Sequence, residues 1–182
     1  ECDRRVWLDA NGDPTLRTDL PPDTLRLFAL GIQHEEAIHA AAGPVTPIPV
    51  SSWEEAVSMT RGLMQSGVPG IIGACLAVEA PLDRSDRVFR LHGRIDRLIR
   101  LPGYSRPVYS PVEIKQRSRP EDADWLQLDY YTWLLSLIQG ITAPAELWLG
   151  ADEFGQPYRR FPHEYDEDRL MHALDRAAAL VA

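Results

Sequence analysis

Two short segments in the middle of the chain carry acidic and basic side chains of the types that hydrolyse phosphate esters. Asp96 lies in a segment that alternates between apolar and polar residues, and Glu113 and Lys115 lie in a second segment. Because strand side chains alternate between faces, Glu113 and Lys115 share one face and Ile114 lies on the other. Two inward carboxylates on neighbouring strands repel each other unless a cation lies between them, and Mg²⁺ and Mn²⁺ prefer such hard oxygen ligands. The pattern therefore predicts a metal-assisted site for phosphodiester hydrolysis, with Lys115 beside the attacking water.

The same residues are also compatible with ordinary ion pairs on the surface of a sheet. Arg94 or Arg97 would then pair with Asp96, and Lys115 would pair with Glu113. Lys115 is the only lysine among 19 basic residues. Its compact ammonium can hold a water or a phosphate oxygen at a single point, which a planar guanidinium does less well. The sequence leaves both interpretations open.

A polar pair falls on the apolar face of the helix expected over residues 121–139. Gln127 lies among the apolar side chains of this helix, and Tyr131 follows one turn later on the same side. A buried amide without a hydrogen bond costs about 1–3 kcal/mol, so we expect a polar partner beneath Gln127. A rotated helix, in which Gln127 reaches solvent, is the alternative.

A histidine interrupts the apolar stripe of the first expected helix. His34 shares this stripe with Leu27, Leu30 and Ile38. A histidine in this setting is either a satisfied core residue or a ligand. The next histidine, His39, follows five residues later, so the two rings point about 140° apart on a helix. This spacing excludes the zinc protease motif, in which the histidines are four residues apart.

Prolines and glycines divide the chain into blocks whose periodicity can be assigned. The block that begins at Ser51 opens with Ser51-x-x-Glu54, which has the form of a capping box. We expect helices over residues 23–41, 51–67, 121–139 and 166–181, and strands over residues 71–78, 88–101, 108–116, 145–149 and 158–161. Helices that flank a strand-rich centre indicate one α/β domain over residues 1–182.

The charge of the chain is unevenly distributed. Residues 84–119 contain ten basic and three acidic residues, a net of +7, whereas the whole chain has a net charge of −8. A basic segment around the candidate strands is suited to guiding an anionic polymer. A solvated hairpin decorated with arginines is the alternative interpretation.

The remaining composition limits the class of protein. No apolar run approaches the roughly 20 residues of a membrane-spanning helix. Two cysteines, Cys2 and Cys75, are too few for a disulfide framework, so we expect a cytoplasmic protein. The first residue is glutamate and not methionine, from which we expect the chain to be part of a longer one.

Taken in order, these motifs resemble the PD-(D/E)XK nuclease superfamily, and specifically its RecB-like branch. The matching residues extend over residues 27–140 and are His34, Gly93-x-x-Asp96, Glu113-x-Lys115 and Gln127-x-x-x-Tyr131. The resemblance implies a restriction-endonuclease-like core, in which a mixed central sheet lies between helices.

The resemblance also implies roles for these residues. Asp96, Glu113 and the main-chain carbonyl of Ile114 would bind Mg²⁺ or Mn²⁺, with His34 completing the ligand set. Lys115 would position or activate the water. The expected contacts to the DNA strand are Gln127, Tyr131, Arg94 and Arg117.

The segment from Cys2 to Leu8 is similar to the N-terminal segment of RecB-like and CRISPR-associated exonucleases that carry a [4Fe–4S] cluster. In those proteins one cysteine precedes the nuclease core and three follow it. Cys75 lies in an apolar run and is interpreted as a small core residue. Cys2 is therefore a candidate cluster ligand only if a longer chain supplies three more cysteines.

The resemblance implies a divalent-metal-dependent deoxyribonuclease. We expect an exonuclease that acts on DNA ends or single strands in repair or recombination, together with a helicase domain or subunit. One alternative is a nuclease-fold module that binds nucleic acid without cleaving it, within a larger helicase or CRISPR-type assembly. A hydrolase of small phosphoesters is a further alternative.

Overall fold

The computed structural model describes residues 12–13, 15, 19–49, 52–81, 88–150 and 157–181. In these residues, helices flank a six-stranded sheet. The helices are α1 (Pro22–Ala41), α2 (Trp53–Ser66), α3 (Asp122–Gln139) and α4 (Glu167–Val181). The strands are β1 (Thr46–Pro47), β2 (Gly70–Pro81), β3 (Val88–Arg100), β4 (Tyr109–Lys115), β5 (Ala145–Leu149) and β6 (Arg159–His163). Across the described ranges, none of the helices combines the length and apolarity needed to cross a membrane.

The sheet is mixed, and its strands lie side by side in the order in which they occur along the chain. β2, β3 and β4 are antiparallel neighbours, as are β5 and β6, whereas β1 pairs with β2 and β4 pairs with β5 in parallel. Parallel neighbours need a crossover connection, which α3 provides between β4 and β5. The α/β fold class with a mixed sheet between helices is therefore confirmed.

The helix ends follow the capping residues closely, with one shift. Ser52 Oγ accepts a hydrogen bond from the Glu55 amide at 3.2 Å, so the cap of α2 lies one residue after the predicted Ser51. α2 is followed by Gly67 with φ 72°, a left-handed conformation that favours glycine. α3 ends before Gly140 with φ 68°, as the sequence predicted.

The strand bounds differ from the prediction mainly at their ends. β2 continues to Pro81 where the prediction ended at residue 78, because its pairing with β3 extends to Val88. β6 is shifted to Arg159–His163 by its pairing with β5. The two-residue strand β1 was not predicted, since so short a segment has no periodicity.

Two layers of side chains cover the sheet. α2 and α3 pack with β2 and β3 around residues such as Ile95 and Leu134, and this cluster includes Cys75, a buried core residue as predicted. On the other face, Ile38 of α1 packs against Val112 and Ile114 of β4. β4 therefore directs alternate side chains into two different layers.

Gly93 lies where α3 approaches β3 most closely. A β-carbon at this position would lie 2.9 Å from Leu134 Cδ1 and 3.2 Å from the Tyr131 ring. Leu134 is fully buried, so its side chain would have to shift within the core to admit the added carbon. Close packing of the two elements therefore requires glycine at this position.

We predict that Gly93→Ala lowers the free energy of unfolding by about 1–3 kcal/mol, because the added methyl group overpacks the core. Urea unfolding monitored by circular dichroism measures the change. Gly62→Ala is the matched control, since a β-carbon at Gly62 in α2 meets nothing within 4 Å. The free energy of unfolding of that variant should rise by about 0.5–1 kcal/mol, because alanine loses less backbone entropy than glycine when the helix forms. Equal effects of the two substitutions would contradict the packing argument.

Candidate active site

β3 and β4 separate at the two predicted acidic residues. Their pairing runs over Arg97–Arg100 and ends where Arg97 faces Val112. One residue beyond this point, Asp96 Oδ2 accepts a hydrogen bond from the Ile114 amide at 2.8 Å. The Asp96 carboxylate thus takes the place of a main-chain acceptor of β3 for this amide of β4. This hydrogen bond places the Asp96 side chain beside Glu113.

Glu113 is buried and only partly satisfied. Its side chain is 2% exposed, and its Oε1 accepts a hydrogen bond from Lys115 Nζ. Its other oxygen, Oε2, is buried and has no hydrogen-bond partner. Buried polar atoms are normally paired, so an unpaired carboxylate oxygen marks a place for a further ligand or water.

The site lacks positive charge for its carboxylates. Burial, together with the negative charge of Asp96, raises the pKa of Glu113 to about 8, and Lys115 only partly opposes this rise. Burial also raises the pKa of Asp96, against the Ile114 amide and the charge of Lys115. Burial by itself lowers the pKa of Lys115, but Glu113 and then Asp96 outweigh it, so that pKa lies above its usual value. Lys115 is therefore a cation at neutral pH.

Glu35 joins this group, although the sequence reasoning did not select it. Burial raises its pKa to about 7, with a further rise from Asp96 and opposition from Lys115 and Arg94. These interactions place the carboxylate of α1 in the same electrostatic neighbourhood as the strand residues. The sequence gives no clear signal for this, because adjacent residues of a helix such as His34 and Glu35 point about 100° apart.

His34 lies at the ends of β4 and β5. A β-carbon at Gly150 would lie 3.6 Å from His34 Cε1 and 2.9 Å from the Gln116 carbonyl oxygen. The ring nitrogen Nε2 is buried without a hydrogen-bond partner. Within the part of the chain that the structure describes, no three side chains of His, Cys, Asp or Glu are grouped so that they could hold one metal ion. The structure thus brings Asp96, Glu113 and Lys115 together and places His34 at the neighbouring strand end.

The polar pair of α3 forms a short hydrogen-bond chain. Gln127 Nε2 donates to Tyr131 Oη at 2.8 Å, and Tyr131 Oη donates to the Arg94 carbonyl at 2.7 Å. The partner that Gln127 required is therefore Tyr131 itself. Burial, followed by the charge of Glu113, raises the pKa of Tyr131, which keeps its hydroxyl protonated. These two hydrogen bonds connect α3 to β3 at Arg94, two residues before Asp96.

Part of the basic segment serves the fold. Several of its arginines donate to main-chain carbonyls: Arg97 to Ala42, Arg100 to Gly67 and Arg106 to Gln139. Arg97 is 3% exposed, so it offers no surface charge. A count of charges in the sequence therefore overstates how much of this segment is available to a polyanion.

The two arginines expected to contact DNA have different surroundings. Arg117 contacts the buried Asp124, and its Nη1 lies 3.1 Å from Glu121 Oε2, so it anchors the loop to the start of α3. Arg94 is exposed and lies over Gly73, and its charge acts on Asp96 and Glu35. Arg94 is the better placed of the two to meet a phosphate.

Cys2, the candidate cluster ligand, lies outside the described residues. Asp129 is fully buried, and its carboxylate lies 2.7 Å from His163 Nε2 and accepts a hydrogen bond from Arg169 Nε at 2.6 Å. This cluster joins α3 to β6 and α4, away from the acidic pair.

Comparisons with known proteins give no family. No family model and no curated protein matches the chain. The crystal structure of SSO0001 matches 97% of this chain and 85% of that chain, with 10% sequence identity and a TM-score of 0.42. A likeness of that degree assigns neither a fold family nor a function.

We predict that the metal-free protein loses stability as the pH rises from 6.5 to 8.5. Folded Glu113 and Glu35 keep their protons to about pH 8 and about pH 7, respectively, whereas the same groups in the unfolded chain release them near 4.5. The folded state therefore binds more protons in this interval, and stability falls as they are lost. Burial lowers the pKa of His39 from its usual 6.5 to about 4. His39 therefore has the opposite effect on stability, but only at pH values below 6.5. The thermal midpoint measured in EDTA should fall by several degrees, at about 2–4 °C per kcal/mol.

Two variants test the origin of this slope. Glu113→Gln should flatten it, because the titrating group is removed. Glu79→Gln removes an exposed carboxylate on β2 and should leave the slope unchanged. A midpoint that is constant or rises with pH in the wild-type protein would refute the assignment.

Proposed function

We propose that this chain is a divalent-metal-dependent nuclease that hydrolyses phosphodiester bonds in DNA, acting on ends or single strands. One observation carries the proposal: Asp96, Glu113 and Lys115 converge where β3 and β4 separate. The Lys115–Glu113 ion pair of the alternative interpretation is present, but Glu113 is 2% exposed, so the pair is buried beside Asp96 and does not lie on the surface of the sheet.

The residues present fit a hard divalent cation. Glu113 Oε2 and His34 Nε2 are buried without partners. Burial raises the pKa values of Glu113 and Asp96, and a bound cation would oppose that rise. Asp96, Glu113 and the Ile114 carbonyl would hold Mg²⁺ or Mn²⁺, with His34 nearby. Such an ion supplies Lewis-acid activation of the phosphate and lowers the pKa of a bound water.

Lys115 has the properties of a donor. Its raised pKa keeps the ammonium charged at neutral pH, so it can donate a hydrogen bond to the attacking water or to a phosphate oxygen. A charged ammonium has no lone pair with which to accept a proton. We therefore propose that Lys115 positions the water and stabilises negative charge that develops on the phosphate.

Tyr131 and Gln127 are positioning residues in this proposal. Their hydrogen-bond chain holds the Arg94 carbonyl, and with it the part of β3 that carries Asp96. Arg94, exposed beside the carboxylates, is the proposed contact to the DNA backbone. Glu35 adds a third acidic side chain to the same group.

A module that binds nucleic acid without cleaving it is the second candidate. It is favoured by the contact of Lys115 Nζ with Glu113, which occupies one of the two carboxylate oxygens. The lack of a three-ligand group among the residues that the structure describes points the same way. Cleavage distinguishes the two candidates.

We predict that the purified protein cleaves end-labelled DNA in the presence of Mg²⁺ or Mn²⁺. Lys115→Ala and Glu113→Gln should each reduce the rate by about 100-fold or more, the usual scale for a positioned acid–base or electrostatic group. Glu79→Gln, which removes a remote exposed carboxylate, should cleave like the wild type. Separation of the products by gel electrophoresis on single- and double-stranded substrates gives the rates.

The opposite pattern would favour the binding module. Wild type and Lys115→Ala would then bind DNA equally well without metal, and neither would cleave it. Cleavage that survives both active-site substitutions would instead place the chemistry elsewhere in the chain.

We also predict that Mn²⁺ raises the thermal midpoint of the wild-type protein and that chelation reverses the effect. A ligand that binds only the folded state stabilises it by about 2.7 kcal/mol at a concentration 100 times its Kd. Glu113→Gln should lose most of this shift, whereas Glu79→Gln should keep it. An equal shift in all three proteins would mean that the ion binds outside the proposed site.

A further inference from the structure

A groove opens beside the candidate active site, between β3, α3 and α4. Its volume is 620 Å³, within the range of about 300–1,000 Å³ that is typical of ligand pockets. Arg94, Gln127 and Tyr131 lie along it, and these residues also border the acidic group. Asp96, Glu113 and Lys115 do not line the groove themselves, so Arg94 and Tyr131 are the residues that connect it to the place where the scissile phosphate would bind.

The lining of the groove has a distinctive chemistry. Tyr130 and Leu126 of α3 face Leu170 and Ala173 of α4, so the walls are aromatic and aliphatic. Polar and basic side chains line it as well: His92, Arg94, His172 and Arg176. The described residues that line it include no Asp or Glu, although the whole chain has 27 acidic and 19 basic residues. Such a lining suits a flat ligand that carries a negative charge.

The aromatic wall is held in place before any ligand binds. Tyr130 Oη donates to the His92 carbonyl at 3.0 Å, and Tyr131 Oη donates to the Arg94 carbonyl at 2.7 Å. The His92 ring stacks on Trp53 with 5.2 Å between centroids and an interplanar angle of 17°. A preorganised surface loses little conformational entropy on binding.

We propose that this groove binds an unpaired nucleobase of single-stranded DNA whose backbone lies at the candidate active site. The inference rests on the proposed nuclease function, since that function places the phosphate at the head of the groove. Every base has a flat π face that stacks on aromatic side chains regardless of sequence. A base in a duplex is paired and stacked, so it reaches the groove only after it leaves the helix. The groove therefore selects single strands and DNA ends that fray.

The experiment compares two fluorescein-labelled probes of equal length. One is an oligodeoxythymidylate, and the other is an abasic oligomer with the same deoxyribose-phosphate backbone. Fluorescence anisotropy in EDTA gives both affinities without cleavage, and the shared backbone removes electrostatic differences from their ratio. We expect the thymidylate probe to bind about tenfold more tightly or better, because base stacking has about this effect on affinity.

A pair of tryptophan substitutions on α4 locates the effect. Ala173→Trp fills the groove and should abolish the preference for bases, while the affinity for the abasic probe stays the same. Ala179→Trp places the same side chain at an exposed position of α4 that does not line the groove. It should keep the preference. Equal affinity of the wild type for both probes, or a preference that Ala173→Trp leaves intact, overturns the proposal.

A substrate without a base separates this inference from the nuclease proposal. Bis(p-nitrophenyl) phosphate with Mn²⁺ reports hydrolysis alone. Hydrolysis without a preference for bases overturns the groove assignment and supports the nuclease. A preference for bases in Ala179→Trp that is lost in Ala173→Trp, without hydrolysis of any substrate, supports the groove and overturns the nuclease.

Discussion

The hydrogen bond from the Ile114 amide to Asp96 Oδ2 is the interaction on which the candidate site depends. It forms where the ladder between β3 and β4 stops, and it satisfies an amide that β3 no longer pairs. A sheet that separates without such a bond leaves a buried donor unpaired, at a cost of about 1–3 kcal/mol. Because the acceptor is a carboxylate, the bond that stabilises the separation also fixes the orientation of Asp96 toward Glu113. The fold and the chemistry are thus coupled through a single contact.

The cost of this arrangement is electrostatic and is only partly offset. Glu113 is desolvated beside Asp96, and Lys115 is the cation in direct contact with it. Breaking a buried ion pair by removing one partner is usually more harmful than replacing both, because one charge remains buried and unpaired. The rigid surroundings, Tyr131 on the Arg94 carbonyl and Gly93 against α3, keep the carboxylates from moving apart. A site that is held together under repulsion in this way is suited to a cation.

The sequence predicts those features that depend on periodicity and on chain-breaking residues. It does not predict those that depend on which other element or group a side chain contacts. Glu113 and Lys115 share a face because strands alternate, and Ile114 lies in the other core layer for the same reason. The first helix was harder, because only its later part packs: Ile38 is 1% exposed, whereas Leu27 on the same stripe is 65% exposed. Glu35 lies outside that stripe, so the periodicity did not predict its role. No residue count reveals that Arg97 is buried against a carbonyl, because charge says nothing about hydrogen-bond partners.

The local charge at the site explains how an acidic chain could engage a polyanion. The group contains three carboxyl groups, Glu35, Asp96 and Glu113, beside the cations Lys115 and Arg94, and all three would have to be ionised for the negative charge to exceed the positive charge by one. A divalent cation would displace the proton that Glu113 retains at neutral pH, and the loaded site would then carry a net positive charge that attracts a phosphate. Coupling between two ligands is reciprocal, so in the proposed nuclease a bound strand would also tighten the binding of the cation. The net charge of −8 matters less than this local charge, since charges more than about 8–10 Å away are screened at physiological salt.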